Sequence, residues 1–122
     1  MPSVRPGALL PLAATAAIVL GSLGILGGAL GFAFAGAVPA VVRYANIAGS
    51  VVEIGLGLGL RRGDRAAWAF ALSLEGTLTL INLIALPQMA HVGIVGAASI
   101  GFAVARTALG IVLIMASDEV KA

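Results

Sequence analysis

Glu53, Glu75 and Arg106 each lie in the middle of a long apolar run of this 122-residue chain. An ionisable side chain in hydrocarbon is expensive, and by default it marks a functional site or the partner of one. Two carboxylates and a guanidinium support three readings. As an acid–base group, one glutamate donates a proton and the other accepts one, with Arg106 holding them in opposite states. Isomerisation, cyclisation or epoxide opening of a lipophilic substrate would fit, with Glu53, Glu75 and Arg106 as the catalytic residues. As a polar pocket, the same layer binds or conducts a small ligand or a proton, or belongs to an accessory membrane subunit. As a purely structural network, it fixes the register of the helices that carry it. Two acids against one base leave the level unbalanced if both ionise. Either Arg43 then reaches inward or one glutamate holds a proton, and the pair titrates as a unit.

The elements that must position these residues follow from hydropathy. Hydrophobic residues make up 61% of the chain and charged residues 10%, against roughly 25% charged in a soluble domain. Mean hydropathy is +1.14. The reading is a single all-α integral membrane domain over residues 1–122, multi-pass, with four spans of about 20 residues each. The helices are expected at about 8–31, 39–60, 66–86 and 92–116. Pro39 helps set the start of the second, and Pro87 stops the third. Arg61, Arg62 and Arg65 crowd one short turn, which places that turn on the cytoplasmic side. Both termini of an up-down four-helix bundle then fall there too, with Arg5 and Lys121. Trp68 is expected at the inner interface and Tyr44 at the outer one. The segment from Arg5 through Ala33-Phe34-Ala35 imitates a signal peptide, but its apolar run far exceeds the usual 7–15 residues, so it reads as a span. Usage rich in Ala, Gly, Val and Arg points to a GC-rich bacterium, hence to the inner (cytoplasmic) membrane.

Helical periodicity gathers the polar residues into stripes. Arg43, Asn46, Ser50 and Glu53 are spaced 3, 4 and 3, so they share one face of the second helix. Trp68, Glu75, Thr79 and Asn82 share one face of the third. Ser99, Ala103, Arg106 and Gly110 share one side of the fourth. At a rise of about 1.5 Å per residue, Glu53, Glu75 and Arg106 lie about 11–15 Å from the inner ends of their helices. Asn46, Asn82, Arg43 and Ser99 form a second level at about 21–26 Å. The candidate ligand-binding residues are therefore Arg43, Tyr44, Asn46, Ser50, Thr79, Asn82 and Ser99.

Other features carry blander expectations. The chain has no cysteine and one histidine, His91, so no metal and no cofactor is expected. No nucleophile motif or phosphate loop is present, which disfavours hydride, phosphoryl and serine-hydrolase chemistry. The net charge of +2 comes from the ends and one turn, a topology signal rather than a nucleic-acid surface. The pairs Gly24/Gly28, Gly27/Gly31 and Gly55/Gly59 match small-xxx-small helix packing, within the bundle or in a homo-oligomer. Thr15 and Ser22 are expected to bond backbone carbonyls. The tail from Asp118 to Lys121 reads as solvated. The expected partners are the lipid bilayer, a lipophilic small molecule or a proton, and a second copy of the chain.

The size and span count resemble small multidrug-resistance transporters, but the first helix here has no acid where that family relies on a glutamate. Fluoride channels are also small four-helix proteins. Their phenylalanine-bearing broken helix has no counterpart, because Phe32, Phe34, Phe70 and Phe102 are scattered. The stretch from Gly57 to Leu72 looks like many small multi-pass bacterial membrane proteins, a likeness that implies no activity.

Overall fold

A computed structural model describes residues 7–34, 36 and 38–120. Arg5, Ala35 and Lys121 lie outside the described residues, so the expectations resting on them do too. Four helices, α1 (Leu9–Ala33), α2 (Ala40–Arg61), α3 (Arg65–Met89) and α4 (Gly93–Met115), are followed by a short 3-10 turn at Ser117–Glu119. All four are long and apolar enough to cross a membrane. Their outer surface is apolar, with Leu26, Val41, Phe70, Ile84 and Ile94 all exposed, while Glu53, Glu75 and Arg106 are buried. Charges inside and large aliphatics outside are compatible with a membrane bundle.

The helices run antiparallel to their neighbours in sequence, as the cross-helix contacts show. Gly21 and Gly28 of α1 face Ile54 and Ile47 of α2. Gly49 of α2 faces Leu78 of α3, and Gly59 faces Ala67. The Trp68 indole Nε1 of α3 donates to the Leu113 carbonyl of α4 at 2.7 Å, one end of a pairing that reaches Met89 and Ser99 at the other. α1 also touches α4, closing the ring, but packs far more extensively on α2. The cause of the close α1–α2 seam is glycine. A Cβ at Gly21 would fall 2.7 Å from the Ser50 carbonyl oxygen, and one at Gly57 would fall 3.0 Å from that of Ala14.

The ends of the helices have local explanations. Pro39, at φ −56°, caps α2, and its carbonyl accepts from Val42 and Arg43. Gly63 stands just beyond α2 at φ +73°, a left-handed conformation that lets the chain turn sharply. Asp64 then caps α3 by accepting from the Ala66 amide at 2.9 Å. α3 does not stop at Pro87 but continues to Met89. A proline in the last turn forfeits one backbone bond where few remain to be made, and Ala90 still donates to Leu86 at 2.8 Å.

The tail is not simply solvated. Glu119 accepts from the amides of Leu9 at 3.3 Å and Leu10 at 2.9 Å, and Val120 is buried against the base of the bundle. Ala8 offers α1 no side-chain cap, so its first amides take a carboxylate from the other end of the chain. On the outward surfaces of the bundle, Ser22, Ser73 and Thr77 donate to the carbonyl four residues earlier, at 2.8–3.0 Å.

Two apolar clusters frame the polar residues. One, at the end that carries the α2–α3 turn, gathers Leu10, Ala13, Ala14 and Ala17 with Leu60, Leu109 and Leu113. The other, at the end that carries the α3–α4 turn, holds Val38, Val42, Ala85, Met89 and Val95.

Candidate functional site

The stripes predicted on α2, α3 and α4 turn inward and meet. Arg106 Nη1 donates to Glu53 Oε2 at 2.6 Å and to Glu75 Oε2 at 3.1 Å. Fractional exposure is 1% for Glu53, 2% for Glu75 and 1% for Arg106. The three charges that periodicity placed at one level therefore form one buried ion-pair layer, with a single guanidinium nitrogen carrying both contacts. Ser50 Oγ, Glu53 Oε1 and Arg106 Nε are buried without a hydrogen-bond partner among the described residues. An incompletely satisfied network of this kind specifies an arrangement more than it adds stability.

α1 contributes backbone instead of charge. A Cβ at Gly24 would collide with Ser50 Oγ and sit 3.2 Å from Arg106 Nη2. Only glycine lets α1 lie this close to the charged layer. Phe102, one turn before Arg106 on α4, carries the guanidinium over its ring at 5.9 Å.

Arg43 does not reach this layer. It stays near the start of α2, where Nη1 donates to the Val38 carbonyl at 2.6 Å and the guanidinium lies 5.3 Å from the Phe32 ring centroid. A long side chain three residues into a helix reaches the preceding turn more readily than a site ten residues away. The inner layer thus keeps two carboxylates to one guanidinium.

The second level is an amide pair. Asn46 Nδ2 donates to Asn82 Oδ1 at 3.2 Å, and Asn82 Nδ2 returns a bond to Asn46 Oδ1 at 3.0 Å. Each amide also donates 2.8 Å to the carbonyl one turn earlier on its own helix, Val42 or Leu78.

A cavity of about 170 Å³ opens beside this pair, between the C-terminal half of α1 and the N-terminal half of α4. Arg43, Asn46, Asn82 and Ser99 line it. Glu53, Glu75 and Arg106 do not, and neither do Tyr44, Ser50 and Thr79. Tyr44 is 63% exposed and packs edge-on against Phe32, with ring centroids 5.7 Å apart. Its position on α2, one residue past Arg43, turns it about 100° off the inward stripe. Ser50 lies on the inner side, against Gly24. Thr79 is half-buried on α3, about 60° round the helix from Asn82.

Sequence reasoning missed the apolar half of the lining. Gly27, Gly31, Met89, Val95 and Phe102 all border the cavity. The glycines were legible as small-xxx-small pairs, yet the pairs split in role. The four on α1 all border the cavity, but Gly24 and Gly28 press on α2, Gly27 lies close against Phe102 of α4, and only Gly31 leaves room, with Arg43 Cγ 3.8 Å from where its Cβ would stand. Gly59 packs on Ala67, and Gly55 faces open space. The exposed residues of the lining, Leu30, Phe34, Ile94 and Ala98, form its rim.

A group of three or more residues able to hold a metal ion is absent among the described residues. Comparison of the chain with protein-family models, with curated proteins and with solved structures found no match.

Proposed function

We propose that this protein is an integral membrane protein of four spans that binds a small, largely apolar molecule in the cavity of its outer half. On this reading both termini face the cytoplasm of a bacterium, because Arg61, Arg62 and Arg65 crowd the α2–α3 turn while the α3–α4 turn carries only His91. The Glu53–Arg106–Glu75 layer is the internal lock that fixes which faces of α2, α3 and α4 meet.

The carrying observation is the separation of the two carboxylates and Arg106 from the space. The cavity has room for a ligand and is bordered by the asparagine level, while the ion-pair layer lies outside its lining. A cavity of about 150 Å³ accommodates benzene, and this one is of similar size. An acid–base enzyme would need at least one carboxylate against the bound molecule. Conduction would need a polar path past the inner apolar cluster, which the leucines at the bundle base do not supply.

The test is binding of fluorobenzene to the protein in nanodiscs, read by fluorine NMR. Gly31→Leu, which fills the cavity from α1, serves as the control; a Cβ at Gly31 meets nothing closer than 3.8 Å. Saturable binding to the wild type that the variant lacks is the expected result. Identical, non-saturable partitioning in both would overturn the reading.

A further inference from the structure

The amide pair at the cavity wall has donors that are all engaged and acceptors that are not. An asparagine side chain offers two N–H donors and a carbonyl oxygen with two lone pairs. Asn46 Nδ2 uses both donors, one on the Val42 carbonyl and one on Asn82 Oδ1. Asn82 Nδ2 uses both on the Leu78 carbonyl and Asn46 Oδ1. The orientation of each amide is forced, since a backbone carbonyl can only accept and so the group 2.8 Å from it must be the NH₂. Each Oδ1 therefore accepts one bond from its partner and keeps one lone pair for a further donor.

The remaining polar groups point the same way. Ser99 directs its hydroxyl at Met89 Sδ, 3.7 Å away, which leaves the oxygen able to accept. Arg43 donates to Val38 and lies over Phe32, and its positive charge at the cavity disfavours an ammonium ligand. The rest of the wall is aliphatic or aromatic.

We infer that the cavity selects a small apolar molecule bearing a neutral hydroxyl, such as a phenol or a cyclic alcohol, with the hydroxyl donating to Asn46 or Asn82 Oδ1. A ketone or ether of equal size finds no free amide N–H to accept from and loses the water bonds it had outside. This inference rests on the proposed binding function and names its ligand class.

Phenol, anisole and benzoate are the probes, titrated onto the protein in nanodiscs, with affinities referred to the ligand concentration in the lipid phase. Saturable backbone amide shifts of the residues around the cavity give the affinities in wild type and variant, and in the wild type the side-chain amide signals of Asn46 and Asn82 report the contact. Phenol should bind about three- to tenfold more tightly than anisole, the range that one net hydrogen bond supplies. In the double variant Asn46→Leu/Asn82→Leu that preference should fall to near unity. Equal or tighter binding of anisole would overturn the inference and leave the binding function standing. Benzoate binding tightest would overturn it in favour of recognition by Arg43. Absence of all binding, fluorobenzene included, removes both. Should the double variant not fold, the three-probe series on the wild type decides alone.

Discussion

Arg106 Nη1 holds Glu53 Oε2 at 2.6 Å and Glu75 Oε2 at 3.1 Å, so α2 and α3 are tied to α4 through a single nitrogen. Removing that nitrogen leaves two buried carboxylates without a counter-charge. Arg106→Met should destabilise the fold by about 3–5 kcal/mol, the cost typical of breaking a buried pair. Replacing all three residues with leucine should recover most of the loss, because no charge then remains to be desolvated. Reversible unfolding in detergent measures both. A triple variant that is stable but adopts several helix arrangements would show that the layer supplies specificity. One that stays as unstable as Arg106→Met would contradict the lock.

The glycines of α1 should separate into two classes. Gly24→Ala places a methyl group onto Ser50 and close to Arg106, and Gly21→Ala presses on the Ser50 carbonyl. Each should destabilise by about 1–3 kcal/mol, the usual cost of overpacking. Gly31→Ala meets only Arg43 Cγ at 3.8 Å and should be neutral or slightly stabilising. Thermal unfolding of the three variants side by side checks the order.

Glu119 caps α1 from the far end of the chain. Glu119→Ala should weaken the first turn of α1 by about 1 kcal/mol, the scale of a lost cap. Hydrogen exchange at the amides of Leu9 and Leu10 should quicken while exchange in the middle of α1 stays unchanged. Unaltered exchange at both amides would argue against the cap.

The absence of native cysteine makes the orientation directly measurable. Arg62→Cys and His91→Cys place single thiols in the α2–α3 and α3–α4 turns, where both residues are exposed. In intact cells with the outer membrane permeabilised, a membrane-impermeant maleimide should label His91→Cys and spare Arg62→Cys until the inner membrane is broken. The reverse pattern would invert the topology.

The sequence by itself determined what depends on local order along the chain. Hydropathy set four helices, Pro39 and the Arg61–Arg65 turn set two of their boundaries, and the 3.6-residue period put Glu53, Glu75 and Arg106 on inward faces at one level. Asn46 and Asn82 came out level for the same reason. α3 ran past Pro87 because a missing amide weighs little in a final turn, a balance that proline alone does not reveal. Tertiary structure decided what depends on distances between helices. Glycines four apart look alike in sequence, and Gly24, Gly27, Gly28 and Gly31 of α1 all border the cavity, but Gly24 and Gly28 press on α2 side chains while Gly31 has room for a side chain. The space exists because α1 lies close to α2 and only loosely against α4, a packing imbalance that no single helix encodes. The joining of Glu119 to the start of α1 spans 109 and 110 residues of sequence, a distance that only the packing of the helices closes.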